Sequence, residues 1–139
     1  MSKVIVMSRK QANYYSYDNK NVKTAMISIT DPGSSDNNIK IDDCNVAFLL
    51  RCKFADVSDT KDNGITKEQA KQIATFVKKH YGNVEQIIVH CEAGISRSAG
   101  VAAAILKYFT NDDSQIFDSY KYRPNTLCYR NVLEALYDE

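Results

Sequence analysis

The stretch Val89-His90-Cys91-Glu92-Ala93-Gly94-Ile95-Ser96-Arg97-Ser98 constrains this chain more than any other. The apolar run Ile87-Ile88-Val89 leads into it and predicts a short buried strand. The small-residue run Ser98-Ala99-Gly100-Val101-Ala102-Ala103-Ala104-Ile105-Leu106 leads out of it and predicts a buried helix. A tight turn must join them, with a cysteine at one end and an arginine at the other. The first N–H groups of a helix lack intrahelical partners, and the macrodipole favours negative charge there, so the turn is built to hold an anion. Gly94 lets successive amides curl inward. Arg97 adds a planar, bidentate fork that matches phosphate oxygens. Cys91 lies at the focus of these donors, which should stabilise its thiolate, the nucleophilic form. A nucleophile beneath a phosphate cradle points to attack on phosphorus and a cysteinyl-phosphate intermediate.

The rest of the chain supplies a scaffold for that turn. Lys3–Met7, Ala25–Ile29 and Val46–Phe54 read as strands. Ser8–Asn21 is polar and carries Tyr14, Tyr15 and Tyr17. It reads as a surface loop or short helix with half-buried tyrosines, in preference to an aromatic lip for a phosphotyrosine ring. Residues 31–38 are dense in turn formers. Thr66-Lys67-Glu68-Gln69 fits a capping box opening a helix with Ala70, Ile73, Ala74, Val77 and Tyr81 inward, stopped at Gly82. A short helix is expected from Asn111–Ser114 through Tyr120. It is broken at Tyr122-Arg123-Pro124-Asn125, and a last helix from Thr126 turns Val132, Leu133, Leu136 and Tyr137 inward. Strands alternating with helices give an α/β fold, a mostly parallel central sheet with helices on both faces. The strand-loop-helix cradle would then lie at the carboxyl end of a central strand, where open sheets bind ligands. At 139 residues, positions 1–139 are expected to form a single domain.

Charge and cysteine usage narrow the setting. A formal net charge of +1 gives no bulk electrostatic case for nucleic acid or a membrane surface. No apolar run is long enough to span a bilayer, and Val4–Met7 is too short for a signal peptide. Cys44, Cys52, Cys91 and Cys128 form no C-x-x-C pair, which suits a reduced, cytoplasmic setting. Cys52 reads as an inert buried thiol, although Cys52 or Cys128 could also resolve an oxidised Cys91. His80 and His90 are the only histidines and suggest no metal site. His80 is expected to be exposed in the last turn of its helix, where a cation suits the dipole.

Cys91, five residues, then Arg97 and Ser98, with His90 before and Gly94 within, resembles the cysteine-dependent protein tyrosine phosphatases. The short chain is most similar to their compact, dual-specificity branch, including small bacterial and phage members. The resemblance implies a phosphatase catalytic domain that needs no cofactor. Cys91 would attack in line. Glu92, Ala93, Gly94, Ile95, Ser96 and Arg97 would bind the phosphate. His90 would pack beneath the turn and orient the cysteine. Ser98 would donate to the departing sulfur, cap the helix, or do both.

The resemblance also implies a general acid, an aspartate on the loop after the third strand. Asp56 and Asp59 are the candidates over Asp62. Asp56, two residues past Phe54, is preferred because loop lengths vary more readily than strand ends. Asn125 would brace the cradle or simply cap the last helix. The extended phosphotyrosine-recognition segment and the glutamine-bearing loop of the large enzymes have no counterpart, which leaves water activation to the aspartate.

An acidic Glu92 argues against a multiply phosphorylated head group. Phosphotyrosine on a protein or peptide is therefore the expected substrate, with dual specificity left open. The protein is expected to be a monomer without nucleic-acid or membrane partners. The alternatives are a phosphatase for RNA 5′ ends or lipids and a catalytically silent phosphotyrosine-binding module.

Overall fold

The computed structural model describes residues 1–18, 22–34 and 46–138, with the side chains of 16–18 excepted. Cys44, residues 35–38 of the turn-rich run and the Tyr17 side chain lie outside the described residues. The chain runs β1 (Lys3–Ser8), α1 (Arg9–Asp18), β2 (Thr24–Thr30), β3 (Phe48–Lys53), α2 (Lys67–His80), β4 (Gln86–Cys91), α3 (Arg97–Thr110), α4 (Ser114–Phe117) and α5 (Thr126–Tyr137). The strands form one sheet in the order β1-β4-β2-β3, and each pair is parallel. This is the α/β arrangement expected from the alternating pattern.

The period-two alternation of a strand splits the sheet into two faces. Ile87, Val89 and Cys91 of β4 join Val4, Val6, Ala25, Ile27 and Ile29 in the larger core, beneath α2, α3 and α5. Ile88 joins Met26, Ala12 and Tyr15 on the other face, beneath α1. The two central strands, β2 and β4, are buried along their whole length. Their near-continuous apolar runs are what a parallel sheet covered on both faces requires.

The helix ends follow the local chemistry. Thr66 and Gln69 form the expected capping box on α2, and Gly82 beyond its end has φ of +86°. Asn125 caps α5 by accepting the Cys128 amide at 2.9 Å. Helix α3 is made of small residues because it is walled in by the sheet and α5: every residue from Arg97 to Leu106 is buried. A Cβ on Gly100 would fall on the carbonyl oxygen of Asn125 and against Cys128.

Several expectations need correction. His80 is buried, only 6% exposed, stacked on Phe48 with ring centroids 4.1 Å apart and edge-on to Phe76. Burial, with Lys79 and Lys23 nearby, pushes its pKa down, so it is not the exposed helix-end cation expected. It takes the inward position assigned to Tyr81, which is only half-buried. Of the two readings of Ser8–Asn21 the helical one holds, as α1, but Tyr15 is buried rather than half-buried, with its hydroxyl against Thr24 and Gln86. Helix α4 stops at Phe117, leaving Tyr120 fully exposed. On α5, Tyr137 is exposed, and Leu127 and Cys128 point inward instead.

Replacing Gly100 with Ala should destabilise the fold by about 1–3 kcal/mol, because the obstruction is backbone rather than a movable side chain. A lower urea midpoint with an unchanged m-value is the expected result; an unchanged midpoint would mean that α3 and α5 are not in close contact.

Candidate active site

The end of β4 delivers Cys91 into the turn Glu92–Ser96, and α3 begins at Arg97. Gly94 makes that turn possible. Its φ is +71°, and a Cβ there would lie 2.6 Å from the Met7 carbonyl carbon and the Ser8 amide nitrogen. The turn therefore rests directly on the end of β1. The Arg9 amide donates to the Glu92 carbonyl at 3.1 Å, and the Arg9 guanidinium pairs with the Glu92 carboxylate at 3.3 Å.

Cys91 is 2% exposed. Its Sγ lies 3.0 Å from the Ser98 hydroxyl and accepts the Gly94 amide at 3.3 Å. Burial alone would raise the thiol pKa. The Ser98 hydroxyl and amide, the Gly94 amide and the positive charge of Arg97 outweigh it and hold the thiol below its ordinary value. The other described cysteines behave oppositely: burial pushes Cys52 up to about 11 and Cys128 up to about 12. Ser98 lies inside α3 rather than at its cap position, which Ser96 occupies, so its hydroxyl serves the sulfur.

His90 is fully buried on the opposite face of β4. Burial lowers its pKa to about 4, so the ring is neutral at pH 7. Nδ1 lies 3.3 Å from the Cys91 carbonyl oxygen and Nε2 lies 2.6 Å from the Ser28 hydroxyl. A carbonyl only accepts, so Nδ1 carries the proton and Nε2 accepts from Ser28. Neither nitrogen faces the sulfur, and the ring holds the backbone of the nucleophile.

Arg97 is buried, and its Nη1 donates to Asp31 Oδ1 at 2.8 Å and to the Phe54 carbonyl at 2.9 Å. Asp56 sits above the turn. Its Oδ1 accepts from the Ser96 hydroxyl at 2.7 Å and from Asn125 Nδ2 at 2.8 Å. Asn125 also donates to the Val57 carbonyl at 3.1 Å, and its amide donates to the Ser96 carbonyl at 2.9 Å. Asn125 thus caps α5 and ties it both to the Asp56 loop and to the turn. The Arg123 amide adds a bond to the Ile95 carbonyl at 3.0 Å. Asp59 is spent elsewhere: it caps the short 3-10 turn Thr60–Asp62, accepting the Lys61 amide at 2.9 Å.

The structure thus gathers Cys91, Ser98, Gly94, Ser96, Arg97, Asp56 and Asn125 around one turn. Asp59 has no bond to that group among the described residues, and Ala93 and Ile95 are exposed on the turn's rim. Asp31 was not singled out from the sequence. The only hint there is an acidic residue at the end of a strand, inside a run that reads as a turn. No cluster of His, Cys, Asp and Glu able to hold a metal occurs among the described residues, and none of their helices is long and apolar enough to cross a membrane.

Residues 46–132, more than half of the chain, match the family model Init_tRNA_PT, described as the Rit1 DUSP-like domain. No curated protein matches in sequence. Among solved structures the chain is similar to the human tyrosine phosphatase-like serine/threonine/tyrosine-interacting protein, at 19% identity and a TM-score of 0.70, covering 94% of this chain and 89% of that one. It is similar to human DUSP28 at 13% identity and a TM-score of 0.68, covering 96% and 90%. Tk-PTP in its active form matches at 15% identity and a TM-score of 0.62, covering 98% and 92%. At these identities the likeness is one of fold. It is the compact, dual-specificity-like phosphatase fold that the Cys91–Ser98 stretch led us to expect.

At neutral pH, brief treatment with iodoacetamide should label Cys91 ahead of Cys52 and Cys128, read by peptide mass spectrometry. Ser98→Ala should move the alkylation midpoint of Cys91 to higher pH. Equal labelling of the three thiols would show that the turn does not favour the thiolate.

His90 gives a second pH dependence. Its folded pKa of about 4 lies below the ordinary 6.5, so the unfolded chain binds more protons between those values. Stability should therefore fall as pH drops from 6.5 toward 4, by up to about 1.4 kcal/mol per unit. His90→Gln should flatten that slope in urea titrations, and an undiminished slope would exclude His90 as its source.

Proposed function

The chain belongs to the Rit1 DUSP-like domain family, and from that premise we propose that it is a phosphate monoester hydrolase working through a cysteinyl-phosphate. The observation that carries this reading is the nearly buried Cys91 sulfur, which meets the Ser98 hydroxyl and the Gly94 amide at the mouth of α3, beside Arg97, so that its pKa is lowered. A thiol whose pKa is lowered has less need of a general base, and neutral His90 offers none. Cys91 attacks phosphorus in line. Gly94, the neighbouring turn amides and Arg97 answer the charge on the non-bridging oxygens. Ser98 donates to the sulfur and lowers its basicity as it departs in the second step.

Asp56 is the general acid of this proposal. Its carboxylate is exposed at the cradle, held there by Ser96 and Asn125. It protonates the leaving oxygen and then takes a proton from the attacking water. Asp59, engaged as a turn cap, is the weaker candidate.

An aryl phosphate on a protein or peptide, phosphotyrosine foremost, is the first substrate. It suits a single-phosphate cradle, worked by a monomer in the cytoplasm. The argument from Glu92 weakens, because Arg9 pairs with its carboxylate. The family label, Init_tRNA_PT, favours a second reading, a phosphate carried on RNA. The segment beside the turn suits that reading, since it exposes the Tyr120 ring together with the cations Lys121 and Arg123.

The test is the pH–rate profile on an aryl phosphate for wild type, Asp56→Asn and Asp59→Asn. Asp56→Asn should lose most of the rate, about 100-fold or more, and the alkaline limb, while Asp59→Asn resembles wild type. Cys91→Ser should abolish turnover and still bind phosphate. Turnover of a 5′-phosphorylated RNA well above that of a phosphotyrosine peptide would select the second reading. Binding of the peptide without turnover of either would leave a silent binding module.

A further inference from the structure

Arg97 carries a charge that burial makes costly to leave unanswered. Its side chain is 6% exposed, while that of Asp31 is 58% exposed. The Asp31 carboxylate and the Phe54 carbonyl both fall on one nitrogen, Nη1. No acceptor falls on Nε or Nη2 among the described residues. Asp31 directly follows β2 and Phe54 directly follows β3. The guanidinium is thus clamped between the carboxyl ends of two neighbouring strands, and its Nε–Nη2 edge stays available for a bidentate grip on an oxyanion.

We propose that Asp31 is a positioning residue of this site, fixing the rotation of the Arg97 fork so that its unbonded edge meets the phosphate. The proposal rests on the hydrolase reading above and deepens it. A planar fork held only at the Phe54 carbonyl can pivot about that single bond. The second acceptor on the same nitrogen removes the pivot. Exposed as it is, Asp31 contributes little by packing, and an ordinary exposed ion pair would contribute little to stability. Here the exposed carboxylate answers a buried cation. Without it, the long arginine side chain gains by swinging its head toward water. Asp31 touches neither substrate nor sulfur. It acts through Arg97.

The experiment compares the full chain with Asp31→Asn and Asp31→Glu. It reads kcat on an aryl phosphate and the ratio of Cys91 alkylation rates by iodoacetate and iodoacetamide. The anionic reagent reports the placement of the guanidinium, and the neutral reagent reports access to the thiol. Asp31→Asn should lower kcat between about 10- and 100-fold and lower the alkylation ratio. Removing a nearby carboxylate by itself would favour the anionic reagent, so a fall in the ratio reports a displaced Arg97. Asp31→Glu keeps the charge one methylene further out and should give values between those of the Asn variant and wild type. A ratio that is unchanged or raised in Asp31→Asn overturns the proposal, as does a kcat within about twofold of wild type. If wild type turns over no phosphate ester, the hydrolase reading fails, while the alkylation ratio still decides the role of Asp31. If Asp31→Asn does not fold, an unchanged ratio in Asp31→Glu overturns the proposal and a lowered one supports it.

Discussion

A thiol that is almost sealed from water and yet has its pKa lowered must be surrounded by donors that take the place of water. That requirement at Cys91 organises the molecule. Burial works against the thiolate, and the balance is reversed by the Ser98 hydroxyl and amide, the Gly94 amide and the charge of Arg97. Each donor is in place for a reason elsewhere in the fold. Gly94 can turn inward because no Cβ strikes the end of β1. Ser98 reaches back because α3 starts immediately after the turn, and α3 can sit there because Gly100 leaves room for Asn125. The two glycines set the distances from the turn to the sheet on one side and to α5 on the other.

The same economy governs the hydrogen bonds around the cradle. Ser96 stands at the cap position of α3 but makes no side-chain cap bond. Its hydroxyl goes to Asp56 instead, while its carbonyl accepts from both Gly100 and Asn125. One residue thus joins the turn, the acid loop and α5. Asn125 completes the connection with a carbonyl oxygen that caps α5 and an amide that holds Asp56 and Val57. A shift of α5 would be felt at Asp56, because Asn125, the cap of α5, bonds to its carboxylate directly.

What could be read from the sequence was local. The strand-turn-helix around Cys91, the capping box at Thr66 and the break before Asn125 each depend on residues within a few positions of one another. Of the two aspartates weighed from the sequence, the structure places Asp56, the one nearer the strand end, at Ser96. What escaped depends on partners far apart in the chain. His80 is buried because Phe48 meets it across the sheet edge, a contact no helical pattern encodes. Glu92 is paired because the turn rests on the start of α1. Asp31 sits 66 positions from Arg97 and was hidden in a turn-forming run. In each case the strand order β1-β4-β2-β3 creates the meeting, and that order is not written in any short stretch.

The seat of the turn on β1 also says something about when the site can exist. Residues Lys3–Ser8 form the first strand of the chain, yet they pair with Gln86–Cys91, the strand that carries the nucleophile. Arg9 and Glu92 close the same junction. During synthesis, β1 cannot gain this neighbour until β4 has been made, after β2, β3 and α2. Closing so long a loop is slow. The cradle joins segments far apart in the chain, so it cannot be complete before β4 and the start of α3 have been made.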